Sequence, residues 1–222
     1  MDMRLLDYFS EPLAYVSLLL NDQVAEGAEY KVVQKDLDNL LNQSSKLAEE
    51  IDQKSFEAAF FAVCAWIDEQ LLNSAWQGRN EWLVQPLQKR HFGTLQAGER
   101  FYAYLDELLS PEQNNAAQNT SSKGSKDQGS EESEVYSEAG RVQALEVYAV
   151  CLALGFTGRY FRAQDRRTLQ DLKNKCLSTI QELGGELDTK RLFPEAYPGG
   201  QRVKAKWRGF SSPGLVASFL FP

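Results

Sequence analysis

The chain has 222 residues, of which 43% are hydrophobic and 25% are charged, a composition typical of a folded globular protein with its own core. The formal net charge of −7 argues against nucleic acid as the main partner, because phosphate binding depends on a basic surface. The three cysteines, Cys64, Cys151 and Cys176, are widely separated on apolar helical faces. This argues against a disulfide framework and favours a reducing, cytosolic setting.

Apolar residues that recur at steps of three and four predict a helix in each of the first three segments of the chain. The three sets are Leu5, Phe9, Leu13, Val16 and Leu20; Val33, Leu37, Leu40, Leu47 and Ile51; and Phe56, Phe60, Val63, Ile67 and Leu71. Pro12 fits the first helix only in its first turn or at a bend, because proline has no amide hydrogen to donate. Ser55 is the candidate N-cap of the third helix.

The helical pattern breaks up between residues 76 and 92, where Gly78 and Pro86 lie among aromatic residues. We predict short helical turns and packed loop there instead of one long element. Thr94 is the candidate cap of a further helix that ends near Leu109. The predicted buried residues of that helix are Phe101, Leu105, and Leu108 or Leu109.

Residues 111–136 are predicted to form a flexible loop, because they consist almost entirely of Gln, Asn, Ser, Gly, Lys and Glu. Two helices follow, and their apolar sets are Val142, Leu145, Tyr148 and Leu152, and Leu169, Leu172, Cys176, Ile180 and Leu183. Gly184 and Gly185 end the last helix in the position typical of a C-cap. No segment alternates apolar and polar residues for long enough to predict a strand. The predicted fold class is all-α, a helical bundle of about six to eight helices.

The C-terminal segment combines a basic cluster with an apolar stretch. The cluster is Arg202, Lys204, Lys206 and Arg208, and the apolar stretch covers residues 215–221. From these residues alone, the segment is either an apolar tail or the start of a truncated membrane anchor. The longest apolar stretch inside the chain, residues 148–156, is roughly half of the ~20 residues that a spanning helix needs, and no signal peptide is expected.

Asp68 and Glu69 are the strongest candidates for chemistry, because Asp68 lies among apolar neighbours on the third predicted helix. Adjacent helical residues point about 100° apart, so these two carboxylates cannot easily flank one scissile bond. His91 is the only histidine, and no nucleophile motif accompanies it. His91 and the cysteines lack the paired spacing of a zinc site, and no glycine-rich phosphate loop is present. We therefore predict no catalytic, cofactor-binding or metal-binding residues, with a helical enzyme that uses Asp68 and Glu69 as the alternative.

Two ordered blocks of short motifs lie on either side of the predicted loop. The first block is Ala65-Trp66-Ile67-Asp68-Glu69-Gln70, Leu72-Asn73-Ser74, Trp76-Gln77-Gly78-Arg79, Trp82, Pro86-Leu87-Gln88, Phe92 and Ala97-Gly98-Glu99-Arg100-Phe101. The second block is Leu145-Glu146-Val147-Tyr148, Cys151-Leu152, Leu154-Gly155-Phe156 and Gly158-Arg159-Tyr160. Together they resemble the signature of the DotU/TssL (IcmH-like) family over roughly residues 5–195.

The resemblance implies a structural subunit of the inner-membrane complex of a bacterial type VI secretion system, with the DotU subunit of a type IVB system as the alternative. It implies a cytoplasmic domain over residues 1–195, built as a hook of two small helical bundles. Residues 196–222 would then be a juxtamembrane basic segment and the start of a C-terminal anchor, with the basic cluster as its cytoplasmic flank. The resemblance implies a single C-terminal anchor in the bacterial inner membrane, with this domain in the cytoplasm.

The resemblance also implies the partners. These are a TssM/IcmF-like membrane protein and baseplate subunits such as TssK and TssE. Self-association is expected mainly through the missing membrane segment. No catalysis and no cofactor are implied.

The motif residues divide into a core set and a surface set. The core set is Trp66, Asp68, Trp76, Trp82, Tyr148, Gly155, Phe156, Gly158 and Arg159. Gly155 and Gly158 are expected to permit a turn that directs Arg159 back to a carboxylate.

Two hypotheses concern the acidic pair. Arg79 or Arg159 is expected to bridge Asp68, because a buried carboxylate needs a partner. Glu69, Gln77 and Arg79 are expected to line a groove that receives a partner protein. The alternative for Glu69 is an ordinary solvated carboxylate.

Overall fold

A computed structural model of the chain describes residues 4–21, 28–47, 52–110, 136–185 and 187. The regular elements in these ranges are all helical, so the predicted all-α class is confirmed. The α-helices are α1 (Leu5–Asn21), α2 (Tyr30–Leu47), α3 (Gln53–Asn73), α4 (Arg79–Val84), α5 (Leu87–Phe92), α6 (Ala97–Leu109), α7 (Glu138–Ala153) and α8 (Arg166–Glu182). A 3₁₀ turn at Ala163–Asp165 leads into α8. The described residues belong to one compact unit, Met1–Thr189.

Helices α3 and α7 form the centre of the bundle and pack against each other. Both are buried on nearly every side, which is why their apolar residues spread beyond a single stripe. The buried residues of α3 include four small ones, Ala58, Ala59, Ala62 and Ala65. Helix α1 packs on both central helices, α6 and α8 pack on α7, and α4 and α5 pack on α3. The motif-bearing segments therefore surround one helix pair.

Pro12 lies inside α1 and leaves one backbone carbonyl of that helix without its usual amide donor. A side chain of α2 donates to this carbonyl instead. A proline at this position cannot donate to the carbonyl of Tyr8, four residues earlier. Ser44 Oγ of α2 donates to that carbonyl at 2.5 Å, and Ser44 is 2% exposed. The proline thus creates a specific contact between the first two helices.

The predicted N-cap of α3 is wrong by three residues. Asp52, not Ser55, caps the helix, because Asp52 Oδ1 accepts from the amide of Ser55 at 2.8 Å. Asp52 Oδ2 also accepts from Ser137 Oγ at 2.6 Å, and Ser137 Oγ accepts from the amide of Gly140 as the N-cap of α7. One carboxylate therefore links the N-termini of both central helices.

The other boundaries follow the sequence pattern with small shifts. The short helices predicted between residues 76 and 92 are confirmed as α4 and α5. Gln96, not Thr94, is the N-cap residue of α6, and Thr94 Oγ1 instead accepts from the amide of Gln96. On α2 the predicted Leu37 is fully buried, but the next fully buried leucine is Leu41, and the predicted Leu40 is half-buried.

Several predictions concern parts of the chain outside the described residues. These are Ile51, residues 111–135 of the predicted loop, and the whole segment 196–222 with its basic cluster and predicted anchor. Tyr136, at the end of the predicted loop, is described and buried. Among the described helices, none is both long and apolar enough to cross a membrane.

Candidate docking surface

Asp68 lies on α3 and is 1% exposed, so its carboxylate is shielded from solvent. Trp82 Nε1 and the amide of Leu87 each donate to Oδ1 at 2.8 Å, and the amide of Gln88 donates to Oδ2 at 2.8 Å. Leu87 and Gln88 begin α5, whose N-cap residue Pro86 makes no side-chain cap. Asp68 therefore caps α5 from another helix. Burial raises the pKa of Asp68 to about 6, while these hydrogen bonds oppose the rise.

The hypothesis that Arg79 or Arg159 bridges Asp68 is wrong. Arg79 Nη1 donates to the carbonyl of Ser74 at 3.4 Å, and Arg159 Nη1 pairs with Glu99 at 3.0 Å. Two backbone amides and an indole satisfy Asp68 without ordering a long arginine side chain, which would cost more conformational entropy. The turn does direct Arg159 to a carboxylate, but the acceptor is Glu99 of α6.

An ion pair between α5 and α2 was not predicted from the sequence. Arg90 Nη1 donates to both carboxylate oxygens of Asp38 at 2.7 and 2.9 Å. The guanidinium carbon also lies 5.4 Å from the centroid of the Trp82 ring. No spacing rule joins residues that are 52 positions apart, and the only signal in the sequence is the basic run Lys89-Arg90-His91.

Glu69 holds the turn that follows α7 against α3. Its Oε1 accepts from the amide and the hydroxyl of Thr157 at 2.7 and 3.0 Å, and its Oε2 accepts from the amide of Gly158 at 2.7 Å. Three donors from one turn make this a carboxylate clamp, and charge-assisted hydrogen bonds of this kind are short and strong. Glu69 is thus a positioning residue for the turn, although it remains half-exposed.

The turn itself depends on two glycines with positive φ. Gly155 has φ of 97° and ends α7, with the amide of Phe156 donating to the carbonyl of Cys151 at 3.0 Å. Gly158 has φ of 51°, and a Cβ placed there would lie 3.0 Å from Cα of Gly98 on α6. The close approach of two backbones explains why glycine occupies both sides of this contact.

Aromatic side chains fill the space between this turn and the central helices. The ring of Phe101 lies 4.1 Å from that of Phe156 and 4.5 Å from that of Tyr148, measured between centroids. Tyr102 Oη donates to the carbonyl of Thr157 at 2.8 Å. These contacts fix the turn on α6 and α7.

The three tryptophans of the first motif block are buried, and each indole has an acceptor. Trp66 Nε1 donates to the carbonyl of Leu154 at 3.4 Å, and Trp76 Nε1 donates to the carbonyl of Ala28 at 2.8 Å. Trp82 donates to Asp68, as described above. The aromatic members of the predicted core set and Asp68 are buried, whereas Gly155 and Arg159 are exposed and belong to the turn after α7.

His91 packs against an aromatic ring, and the three cysteines lie in surroundings that disfavour the reactive thiolate. The His91 ring packs 5.1 Å from the ring of Phe60, and burial lowers the pKa of the imidazole. Cys64, Cys151 and Cys176 are buried free thiols, and burial raises the pKa of each. In the described part of the chain, no group of three or more His, Cys, Asp or Glu side chains could hold a metal ion.

Helix α4 and the residues just before it expose polar and apolar side chains together. Gln77 and Arg79 are exposed, and Leu83 and Val84 are 62% and 63% exposed. We call these four residues the α4 surface. Both carboxylate oxygens of Glu69 are engaged by the turn. That a groove of Glu69, Gln77 and Arg79 receives a partner protein stays a prediction.

The comparison with protein families shows which family the chain belongs to. The family described as type VI secretion system protein DotU matches residues 4–118 and 135–221, which together make up most of the sequence. The chain belongs to the DotU family. The match covers both motif blocks and leaves out a part of the predicted loop between them. The family description favours a type VI over a type IVB system.

Two solved structures resemble this DotU-family chain. The cytoplasmic domain of TssL from Acinetobacter baumannii has a TM-score of 0.64 and 25% identity, and the alignment covers 82% of this chain and 99% of that chain. SciP/TssL from enteroaggregative Escherichia coli 042 has a TM-score of 0.58 and 26% identity, covering 83% and 92%. A search of curated proteins gave no match. The family and the fold are those of type VI secretion subunits and not of an enzyme family.

Proposed function

We propose that this chain is the TssL-type subunit of a type VI secretion membrane complex, and that its helical domain docks a TssM/IcmF-like membrane protein and baseplate subunits such as TssK and TssE. The observation that carries the proposal is the family match across both motif blocks. The structure supports a binding role over catalysis, because Asp68 and Glu69 are both occupied by contacts within the chain. The helical domain would lie in the cytoplasm, with the chain held at the inner membrane by a C-terminal anchor.

The α4 surface is the best candidate for the protein contact. Exposed apolar side chains bordered by polar ones are the usual composition of a protein interface. Trp82 on the opposite side of α4 is fully buried and donates to Asp68, so α4 is held rigidly on α3. A preorganised surface loses less conformational entropy on binding.

Co-purification of the full-length native protein with TssM, TssK and TssE tests the proposal. The double variant Leu83→Asp/Val84→Asp should lose at least one partner and keep the unfolding free energy of the parent, because both side chains are exposed. Leu18→Asp is the matched control, since Leu18 is 45% exposed on α1, a helix that packs on α2, α3 and α7. Full recovery of every partner by the double variant would reject the α4 surface, and failure of the parent to recover any partner would reject the proposed function.

Glu69 is a poor first target for the groove prediction. Charge reversal there would also release Thr157 and Gly158, so a loss of binding would not separate docking from folding. Arg79→Glu is the cleaner probe, because Arg79 is exposed and donates only a long hydrogen bond to a nearby carbonyl.

A further inference from the structure

A basic and aromatic surface lies just before and at the start of α8. Its positive charge contrasts with the negative net charge of the chain. Residues 159–167 contain four arginines and one aspartate, in a chain whose formal net charge is −7. The arginines are Arg159, Arg162, Arg166 and Arg167, and all four are exposed. Between them lies Phe161, which is 69% exposed, the largest exposed fraction among the large hydrophobic residues of the described chain. We call these five residues the α8 entrance surface.

The arginines at the start of α8 do not stabilise that helix. Arg166 and Arg167 occupy its first turn, where the helix dipole disfavours positive charge. Asp165, the N-cap residue of α8, makes no side-chain cap to that helix, and its Oδ2 instead accepts from the amide of Arg162, at the start of the preceding 3₁₀ turn, at 3.1 Å. Within the described ranges, Arg159 is the only one of the four arginines with a carboxylate in salt-bridge distance. Two exposed arginines at a position that the helix dipole disfavours are better explained by an external anion.

We propose that the α8 entrance surface binds the anionic phospholipid surface of the membrane beside which the domain works. Guanidinium groups would bind lipid phosphates, and Phe161 would insert at the level of the head groups, as aromatic residues do at membrane interfaces. This inference rests on the proposed function, because it presupposes a domain located at the inner membrane.

The shape of the surface favours a lipid bilayer over an acidic peptide. Residues 161–164 are four consecutive exposed residues at the start of a 3₁₀ turn, so this segment offers a continuous accessible surface. An exposed turn that carries an exposed aromatic ring can contact a flat lipid interface, whereas a peptide is usually held in a groove or along a sheet edge. The acidic charge elsewhere opposes binding weakly, since the Debye length is about 8 Å at physiological salt.

Vesicle co-sedimentation of the purified chain tests the inference. Vesicles of equal parts phosphatidylglycerol and phosphatidylcholine should bind the chain, and vesicles of phosphatidylcholine alone should not. Arg166→Gln/Arg167→Gln should weaken binding roughly 25-fold, because each arginine near an anionic surface contributes about a fivefold gain in affinity. Phe161→Ala should weaken it by roughly tenfold through loss of apolar burial.

Two controls make the result decisive. Lys31→Gln/Lys35→Gln removes the same charge from exposed positions on α2 and should change binding less than about twofold. Neutralising Arg202, Lys204, Lys206 and Arg208 measures any binding by the C-terminal cluster. Equal losses in the arginine and lysine variants, or loss only in the C-terminal variant, would overturn the inference.

The outcome is separable from the test of the proposed function. Vesicle binding uses the purified chain and no protein partner, whereas docking is measured by co-purification. If the chain recovers its protein partners but does not bind vesicles, the lipid-binding proposal is rejected and the subunit assignment stands. Selective capture by a polyglutamate peptide in place of vesicles would also overturn the lipid proposal.

Discussion

Asp68 illustrates what a single buried carboxylate does in this bundle. Its side chain sits on the central helix, yet all three of its donors come from residues 82–88. Because hydrogen-bonded carboxylates in a low-dielectric interior interact strongly with fixed donors, this contact determines how α4 and α5 lie on α3. The same contact explains why α5 needs no capping side chain of its own.

Asp68→Asn should lower the free energy of unfolding by about 1–3 kcal/mol, because the amide nitrogen would face an amide hydrogen and leave a buried donor unpaired. Urea denaturation at pH 7.5 measures the change. Asp106→Asn, an exposed position on α6, is the control and should be nearly neutral. An Asp68→Asn variant as stable as the control would show that the three hydrogen bonds do not hold α5.

Gly158→Ala should destabilise the domain more than Gly184→Ala. Both residues have positive φ, so an alanine costs about 1–2 kcal/mol at either position. At Gly158 the new Cβ would also lie 3.0 Å from Gly98 Cα and from Phe156 Cε1, whereas at Gly184 it meets nothing within 4 Å. Thermal unfolding of the two variants gives the comparison, and equal losses would mean that α6 and the turn can separate without cost.

At the scale of the helices, one carboxylate connects the N-termini of α3 and α7. Asp52 caps α3 and accepts a hydrogen bond from Ser137, the residue that caps α7. Asp52 accepts from the amide of Ser55 through one oxygen and from the hydroxyl of Ser137 through the other. Gly140 is required beside them, since a Cβ there would lie 1.8 Å from Asp52 Oδ2. Two helices that are distant in sequence are thus aligned at the same end.

Asp52→Ala should cost more stability than Ser137→Ala, because it removes the cap of α3 and also leaves the Ser137 hydroxyl without its acceptor. Loss of a cap typically costs about 0.5–2 kcal/mol, and the two losses should be less than additive in the double variant. Chemical denaturation of both single variants and the double variant completes the cycle. Strict additivity would show that the two caps act independently.

For the molecule as a whole, the buried carboxylates Asp68 and Glu146 contribute to how stability responds to pH. Glu146 on α7 is fully buried and pairs with Arg4 at the start of α1. Burial raises the pKa of Glu146 to about 7 from its ordinary value of 4.5, although Arg4 opposes the rise. The folded state therefore retains a proton that the unfolded state releases, and this stabilisation is present below pH 4.5 and lost as pH rises through 7.

Glu146→Gln should remove this dependence. The difference in unfolding free energy between parent and variant should fall as pH rises from 4.5 to 7, with a slope of up to about 1.4 kcal/mol per pH unit. Asp68 acts in the same direction between pH 3.8 and 6, but it is common to both proteins and cancels in the difference. A difference that is constant or rises with pH would contradict the raised pKa of Glu146.

Helical periodicity could be predicted in detail because it depends only on local spacing. The apolar sets ending in Leu71 and Leu152 located α3 and α7, and the glycines and Pro86 located the short helices between residues 76 and 92. The caps were less predictable, since Ser55 and Thr94 are acceptable caps by local rules. The chain uses Asp52 because that carboxylate also reaches Ser137, 85 residues away.

The sequence by itself determined the all-α class, the order of the helices and the family. The class and the helix order depend on the short-range spacing of apolar residues, and the family is indicated by the two motif blocks. Only the tertiary structure decided the partners of the charged residues. Asp68 meets the start of α5, Glu69 meets the turn at Thr157, and Arg159 meets Glu99. Such pairs join residues that no periodicity relates, since the packing of one helix on another brings them together.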